Sequence, residues 1–268
     1  MESLANAMKH LQERIKKYQT SQAVRSDGSN HEKQYDCPKC KDEEGFIVKN
    51  DDGVESWRWC QCRDKKRIAR LLKSSQITDE FRKKTFKTFE YQDRPDAIKE
   101  ALKKTYAYFR NFENVMKEPN NGICLLGRPG TGKTHLLMAL SNALLRKGVE
   151  VVYFPYVEGL EQIKEDMTKD GVNKDRFEKL KQTQVLFIDD LFKGSRSDYD
   201  LRKMFEVINY RYMEKQPVLI SSELSIGEMI AIDEAIGSRI NEMCQHFRVE
   251  LKGGPELNYR LKEDKHGA

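Results

Sequence analysis

The residues of this chain whose types and spacing could do chemistry are four cysteines, one glycine-rich loop and a pair of aspartates. Cys37 and Cys40 form a C-x-x-C pair, and Cys60 and Cys62 form a C-x-C pair. Between them, "GFIVKNDDGVESWRW" reads as two short strands around a turn at Asp51-Asp52-Gly53, which would bring the pairs together. Four thiolates suit one tetrahedral Zn2+, and a closed four-ligand site is structural rather than catalytic. Two disulfides, or plain reduced thiols, are the other readings. The C-x-C spacing is tighter than the usual C-x-x-C, so His31 stands as a substitute ligand.

Gly127-Arg128-Pro129-Gly130-Thr131-Gly132-Lys133-Thr134 fits G-x-x-x-x-G-K-[ST] in full. It lies between an apolar strand-like run and a helical pattern, as the motif requires. Glycines let backbone N–H groups turn inward around phosphate oxygens, and the following helix points its N-terminus at them. Lys133 would reach the β and γ phosphates, and the Thr134 hydroxyl would ligate Mg2+. His135 follows directly and is grouped with the nucleotide-binding residues. "VLFIDD" supplies the second half of such a site. Asp189, at the end of a buried strand, would hold Mg2+ through water, and Asp190 would orient or deprotonate the attacking water. Asp190 stands where many ATPases of this type carry Glu. The ligands expected are therefore ATP, Mg2+ and Zn2+.

These residues need elements to position them. From about residue 95 the chain alternates strand-like and helical segments: a helical pattern over 96–116, "GICLL", a helix over 133–147, "EVVYFPY", helices over 157–168 and 174–182, "VLFIDD", a helix over 198–214, "VLISS", a helix over 226–243 and "FRVEL". That alternation predicts an α/β fold with a parallel sheet and helices on both faces. Upstream, Leu4, Met8, Leu11, Ile15 and Tyr18 share one helical stripe, a helix for self-packing or for a partner. The organisation expected is an amphipathic helix at 1–19, a linker at 20–35, a zinc module at 36–63, a basic connecting segment at 64–94 and an ATPase domain at 95–268.

The charge is unevenly placed. Residues 63–87 carry ten Lys/Arg against Asp64, Asp79 and Glu80, a net +7, whereas the whole chain is +5. A solvated helix face and a contact with nucleic acid or an acidic protein explain this equally well. No run of about 18 apolar residues is present, so no membrane span is expected. The N-terminus has no apolar signal core, which points to the cytoplasm and to reduced thiols.

Taken together, "GICLLGRPGTGKTHLLMAL", "VLFIDDL", "VINYRYMEKQPVLISSEL", "AIGSRINEMC" and the upstream "CPKC…CQCR" resemble the AAA+ ATPases, and within them the DnaC/DnaI-type replicative helicase loaders, with the transposition helper IstB as a near relative. The resemblance spans roughly residues 36–262. It implies an ATPase that binds a hexameric replicative helicase, delivers it to single-stranded DNA and self-associates through its AAA+ domain. The alternatives are an IstB-like transposition ATPase and a non-catalytic helicase adaptor or inhibitor. It also implies that Arg239 in "GSRI" is an arginine finger acting on a neighbouring subunit, and that Ser222 is a polar sensor. Glu223 departs from the family's Asn; an anion there would repel the γ-phosphate. Seventeen residues follow Leu251, too few for a full C-terminal lid, and Arg260 stands as a candidate second sensor.

Overall fold

The computed structural model describes residues 35–50, 52–167 and 174–261. The N-terminal stripe, nearly all of the linker and His31 lie outside the described residues. Contacts divide the chain into two units between Cys60 and Gln61.

The first unit holds a hairpin of β1 (Gly45–Lys49) and β2 (Glu55–Trp59), paired antiparallel from Gly45↔Trp59 to Lys49↔Glu55. Its turn is closed by the Gly53 N–H donating to Asn50 O at 2.8 Å, with Gly53 at φ 76°, where a side chain would be strained. Every residue of β2 is exposed. Two strands with so little apolar burial need another source of stability.

The second unit begins with α1 (Cys62–Ser74), α2 (Asp79–Arg82), α3 (Asp96–Arg110) and α4 (Phe112–Val115). An alternating series follows: β3 (Ile123–Gly127), α5 (Lys133–Arg146), β4 (Val151–Pro155), α6 (Tyr156–Met167), α7 (Lys174–Gln182), β5 (Val185–Asp189), α8 (Asp198–Met213), β6 (Val218–Ser222), α9 (Ile226–Ile232), α10 (Glu234–Met243) and β7 (Arg248–Leu251). Two short 3-10 turns, Pro255–Leu257 and Tyr259–Leu261, come after β7.

The five strands β3 to β7 form one parallel sheet in the order β4-β5-β6-β3-β7. Successive side chains on a strand point to opposite faces, so continuous apolar runs feed two cores. Leu125, Phe187 and Leu219 pack with α3 and α5 through Ile98, Tyr108, Leu137 and Leu140. Leu126, Ile188 and Ile220 pack on the other face with Leu160, Val207 and Ile240.

Two expected helices are interrupted. The 226–243 pattern breaks at Asp233, which leaves the helical region (φ −153°) and caps α10 by accepting the Ile236 N–H at 2.9 Å. Gly237 lets α9 and α10 meet closely, since a Cβ there would stand 2.7 Å from the Ile230 backbone. The 96–116 pattern breaks at Asn111.

Candidate nucleotide site and cysteine cluster

β3 delivers the chain to the loop, and glycines shape it. Gly127, Gly130 and Gly132 all have positive φ, at 136°, 76° and 99°. A Cβ on Gly127 would lie 2.6 Å from Leu251 O, and one on Gly132 would lie 2.7 Å from the Phe89 ring. α5 begins at Lys133 with no side chain capping its first N–H groups, the arrangement that suits an anion. Arg128 contributes its carbonyl, which accepts from Thr131 Oγ1 at 3.0 Å, while Pro129 and Gly130 line the cleft.

Lys133 is 5% exposed, and its Nζ donates to Gly127 O at 2.6 Å and Arg128 O at 2.9 Å. Burial holds its pKa below the usual lysine range, against the pull of Asp190, Glu223 and Asp189. The Thr134 hydroxyl donates to Asp189 Oδ1 at 2.9 Å. Asp189 also accepts from the Ser221 hydroxyl on Oδ1 and from Tyr153 OH on Oδ2 at 3.2 Å. Burial raises the Asp189 pKa, while the Ser221 and Thr134 bonds oppose that shift. Threonine, serine and aspartate oxygens gathered at one point are a hard donor set, fitted to Mg2+.

Asp190 takes a left-handed conformation, φ 56°, and its N–H donates to Ser221 Oγ at 2.8 Å. Its Oδ2 is 2.7 Å from Lys193 Nζ, which lies 3.2 Å from Glu223 Oε1.

Ser222 does not occupy the expected sensor position. It is fully buried, its hydroxyl donates to Leu191 O at 2.7 Å, and Ser221 is the residue that meets Asp189 and Asp190. Strand alternation is the reason: Ser221 shares the face of Leu219, whereas Ser222 shares that of Ile220.

The loop opens into a cleft of about 1290 Å3, large for a small-molecule site. One wall comes from residues 76–94, within the stretch read from the sequence as a basic connecting segment. Thr78, Phe81, Lys84 and Phe89 line it. His135 Nε2 donates to Thr85 O at 3.2 Å, and its ring meets the Phe89 ring edge-on at 5.2 Å. Burial lowers the pKa of this imidazole. The signal was present as Phe81, Phe86 and Phe89 interleaved with lysines, a half-buried pattern hidden in a charge run.

The chain after β7 reaches the same loop. Tyr259 N–H donates to Gly130 O at 2.9 Å, and Tyr259 OH donates to Glu90 at 2.7 Å. The guanidinium of Arg94, itself 5% exposed, donates to Leu257 O at 2.7 Å and Thr131 O at 3.4 Å. Arg260 lines the cleft. Arg239 is not among the cleft residues of its own chain. On α10 it donates to Asn209 Oδ1 at 3.0 Å and Ala235 O at 2.9 Å, with its guanidinium over Phe205 and Tyr212.

Separately, the Sγ atoms of Cys37, Cys40, Cys60 and Cys62 lie within 4.8 Å of one another. The Cys37 and Cys60 sulfurs approach to 3.7 Å, far beyond the length of a disulfide bond. That spacing is what four Zn–S bonds of about 2.3 Å in a tetrahedron require. Asp42 shapes the first pair by accepting the Asp36 and Cys37 N–H groups at 3.0 and 2.9 Å. The cluster could hold zinc.

The sheet order and loop define an AAA+ P-loop ATP-binding fold. The model of the family described as "IstB-like ATP binding protein" matches residues 58–266, and the chain belongs to that family. It is similar to the phage-like element PBSX protein XkdC of Bacillus subtilis (strain 168), at 43% identity over 235 residues, covering 85% of this chain and 87% of that one. The crystal structure of the DnaC helicase loader superposes with TM-score 0.52 at 22% identity, over 65% of this chain and 100% of that one. The DnaI crystal structure gives 0.52 at 20%, over 68% and 94%. No helix among the described residues is long and apolar enough to cross a membrane.

Proposed function

We propose that this protein is an ATP-hydrolysing helicase loader: it binds a hexameric replicative helicase, delivers it to single-stranded DNA in the cytoplasm, and self-associates through the AAA+ unit. The observation that carries the ATPase part is the joining of Thr134, Asp189 and Ser221 beside the buried Lys133. Thr134 and Asp189 would hold Mg2+, which neutralises phosphate charge when bound. Lys133 exchanges its loop carbonyls for the β and γ phosphate oxygens. Asp190 accepts the proton of the attacking water as the bond from the γ-phosphorus to the bridging oxygen breaks. The first turn of α5 and the loop N–H groups hold the phosphates in line. Arg239 of one subunit reaches the γ-phosphate held by the next, which couples turnover to assembly.

A replicative helicase as partner is supported by the fold shared with DnaC and DnaI and by the cysteine cluster that precedes the AAA+ unit. The second reading, a transposition helper, is favoured by the family description and by similarity to putative ATP-binding proteins of the insertion sequences IS5376 and IS21. Co-purification of the full chain with a bacterial replicative helicase, and ATPase stimulation by single-stranded DNA, is the deciding experiment. Capture of a transposase without helicase would select the second reading, and ATP binding without turnover would select a non-catalytic adaptor.

A further inference from the structure

The sequence posed a problem at Glu223, an anion where a neutral residue would suit the γ-phosphate. The structure sets a cation against it. Lys193 Nζ lies between Asp190 Oδ2 at 2.7 Å and Glu223 Oε1 at 3.2 Å, and Lys193 lines the cleft beside Lys133 and Asp190.

The placement of Lys193 is built into the backbone. Asp190 and Phe192 both take positive φ, 56° and 63°, and Gly194 follows at 77°. Non-glycine residues reach that region at a cost, which the surroundings must offset. Leu191 and Phe192 are 1% and 2% exposed and anchor the turn in the second core. The Leu191 N–H donates to Ser221 O at 2.9 Å and the Lys193 N–H to Asp190 O at 3.0 Å. This bend turns Lys193 back over the acid three residues earlier.

We propose that Lys193 is a positioning residue of the ATP site: it cancels the Glu223 charge near the γ-phosphate and fixes the Asp190 carboxylate for its work on water. Without Lys193, Lys133 would be left as the cation set against Asp189, Asp190 and Glu223, with a polyphosphate still to enter. With it, two cations meet three carboxylates, and Mg2+ carries the remaining charge. The Lys193 and Glu223 side chains are 48% and 34% exposed, so the pair adds little to folding. Its consequence is electrostatic and specific to the phosphate that ATP has and ADP lacks.

The inference rests on the ATPase reading, and its test separates the two. Binding of Mg-ATP and Mg-ADP by calorimetry, together with steady-state kinetics, is measured on the full chain. Wild-type protein that binds neither nucleotide overturns the ATP-site reading itself, before any variant is made. Given binding, Lys193→Met should weaken ATP by about ten-fold while ADP is unchanged, the scale of a like-charge contact partly screened by water. It should also lower kcat by about ten-fold or more, within the usual weight of acid–base positioning. Adding Glu223→Gln should restore ATP affinity and KM but not kcat, because Asp190 still lacks its cation. Lys193→Arg should retain both properties. Equal loss of ATP and ADP, or no change in either ATP affinity or kcat, overturns the assignment of Lys193.

Discussion

The Thr134 hydroxyl reaches from the first turn of α5 to Asp189 Oδ1 at the end of β5, 2.9 Å away and 55 residues on in sequence. This bond joins the two halves of the nucleotide site. Asp189→Asn keeps a group that can accept it but removes the charge that Mg2+ needs. We expect ATP turnover to fall by a factor on the order of 10^2 or more, with the fold intact, since metal assistance contributes several kcal/mol. Magnesium titrations of ATPase rate check this, and an unchanged magnesium dependence would refute the ligand assignment. Lys133→Ala should abolish nucleotide binding or hydrolysis.

The two serines of β6 differ in whether turnover depends on them. Ser221→Ala removes one of the hydrogen bonds that hold Asp189, leaving those from Thr134 and Tyr153, and removes the acceptor for the Asp190 N–H. Ser222→Ala strips the bond to Leu191 O inside the second core and the acceptor for the Leu224 N–H, and touches neither aspartate. The first should lower kcat and, by orphaning the Asp190 N–H, also cost some stability. The second should cost about 1–3 kcal/mol of stability, the price of an orphaned buried partner, with turnover preserved. Thermal melts and kinetics on both variants decide it, and the reverse pattern would restore Ser222 as the sensor.

Zinc content is the third test. We expect about one Zn2+ per chain, released when Cys40, which is buried, is replaced by Ser. The β1–β2 hairpin should then lose its ordered signals, because its strands bury too little to fold alone. The AAA+ unit should keep its nucleotide binding, since its cores are made of other residues. Metal analysis showing no zinc in freshly purified protein would count decisively against the site.

How much of this was legible in sequence depended on range. The loop from Gly127 to Thr134 is a local motif in which each residue type has its own task, and the structure places it between β3 and α5 as expected. The parallel sheet followed from alternating apolar runs, with "VLISS" and the 174–182 helix matching in extent. Ser221 and Ser222 differ only in strand parity, which a motif comparison does not resolve but which tertiary packing fixes. The wall at 76–94 was masked because Phe81, Phe86 and Phe89 sit among lysines, and their burial depends on α3 and α5, which come later in the chain. Asp233 carried a readable N-cap signal three residues before Ile236, yet the helical periodicity on either side concealed it. Lys193 had no signal, because its role depends on the left-handed turn at Asp190.

Arg239 provides the last test, because its own chain does not bring it to the cleft. Its guanidinium is held over Phe205 and Tyr212 and bonded to Asn209, on the α8–α10 face. For a cation so placed, the phosphate site it is proposed to serve is that of a neighbouring copy. Arg239→Ala should leave ATP affinity nearly intact, because Lys133, Thr134 and Asp189 remain in the binding subunit. It should remove the assembly-stimulated rate, by a factor on the order of 10^3 if it acts as fingers do in other NTPases. Mixing then separates action in trans from action in cis. Arg239→Ala and Lys133→Ala subunits lack different halves of a composite site, so mixed interfaces should recover part of the activity. Absence of recovery, under conditions where the two variants demonstrably co-assemble, would place the role of Arg239 within its own subunit, in the packing of α8 against α10.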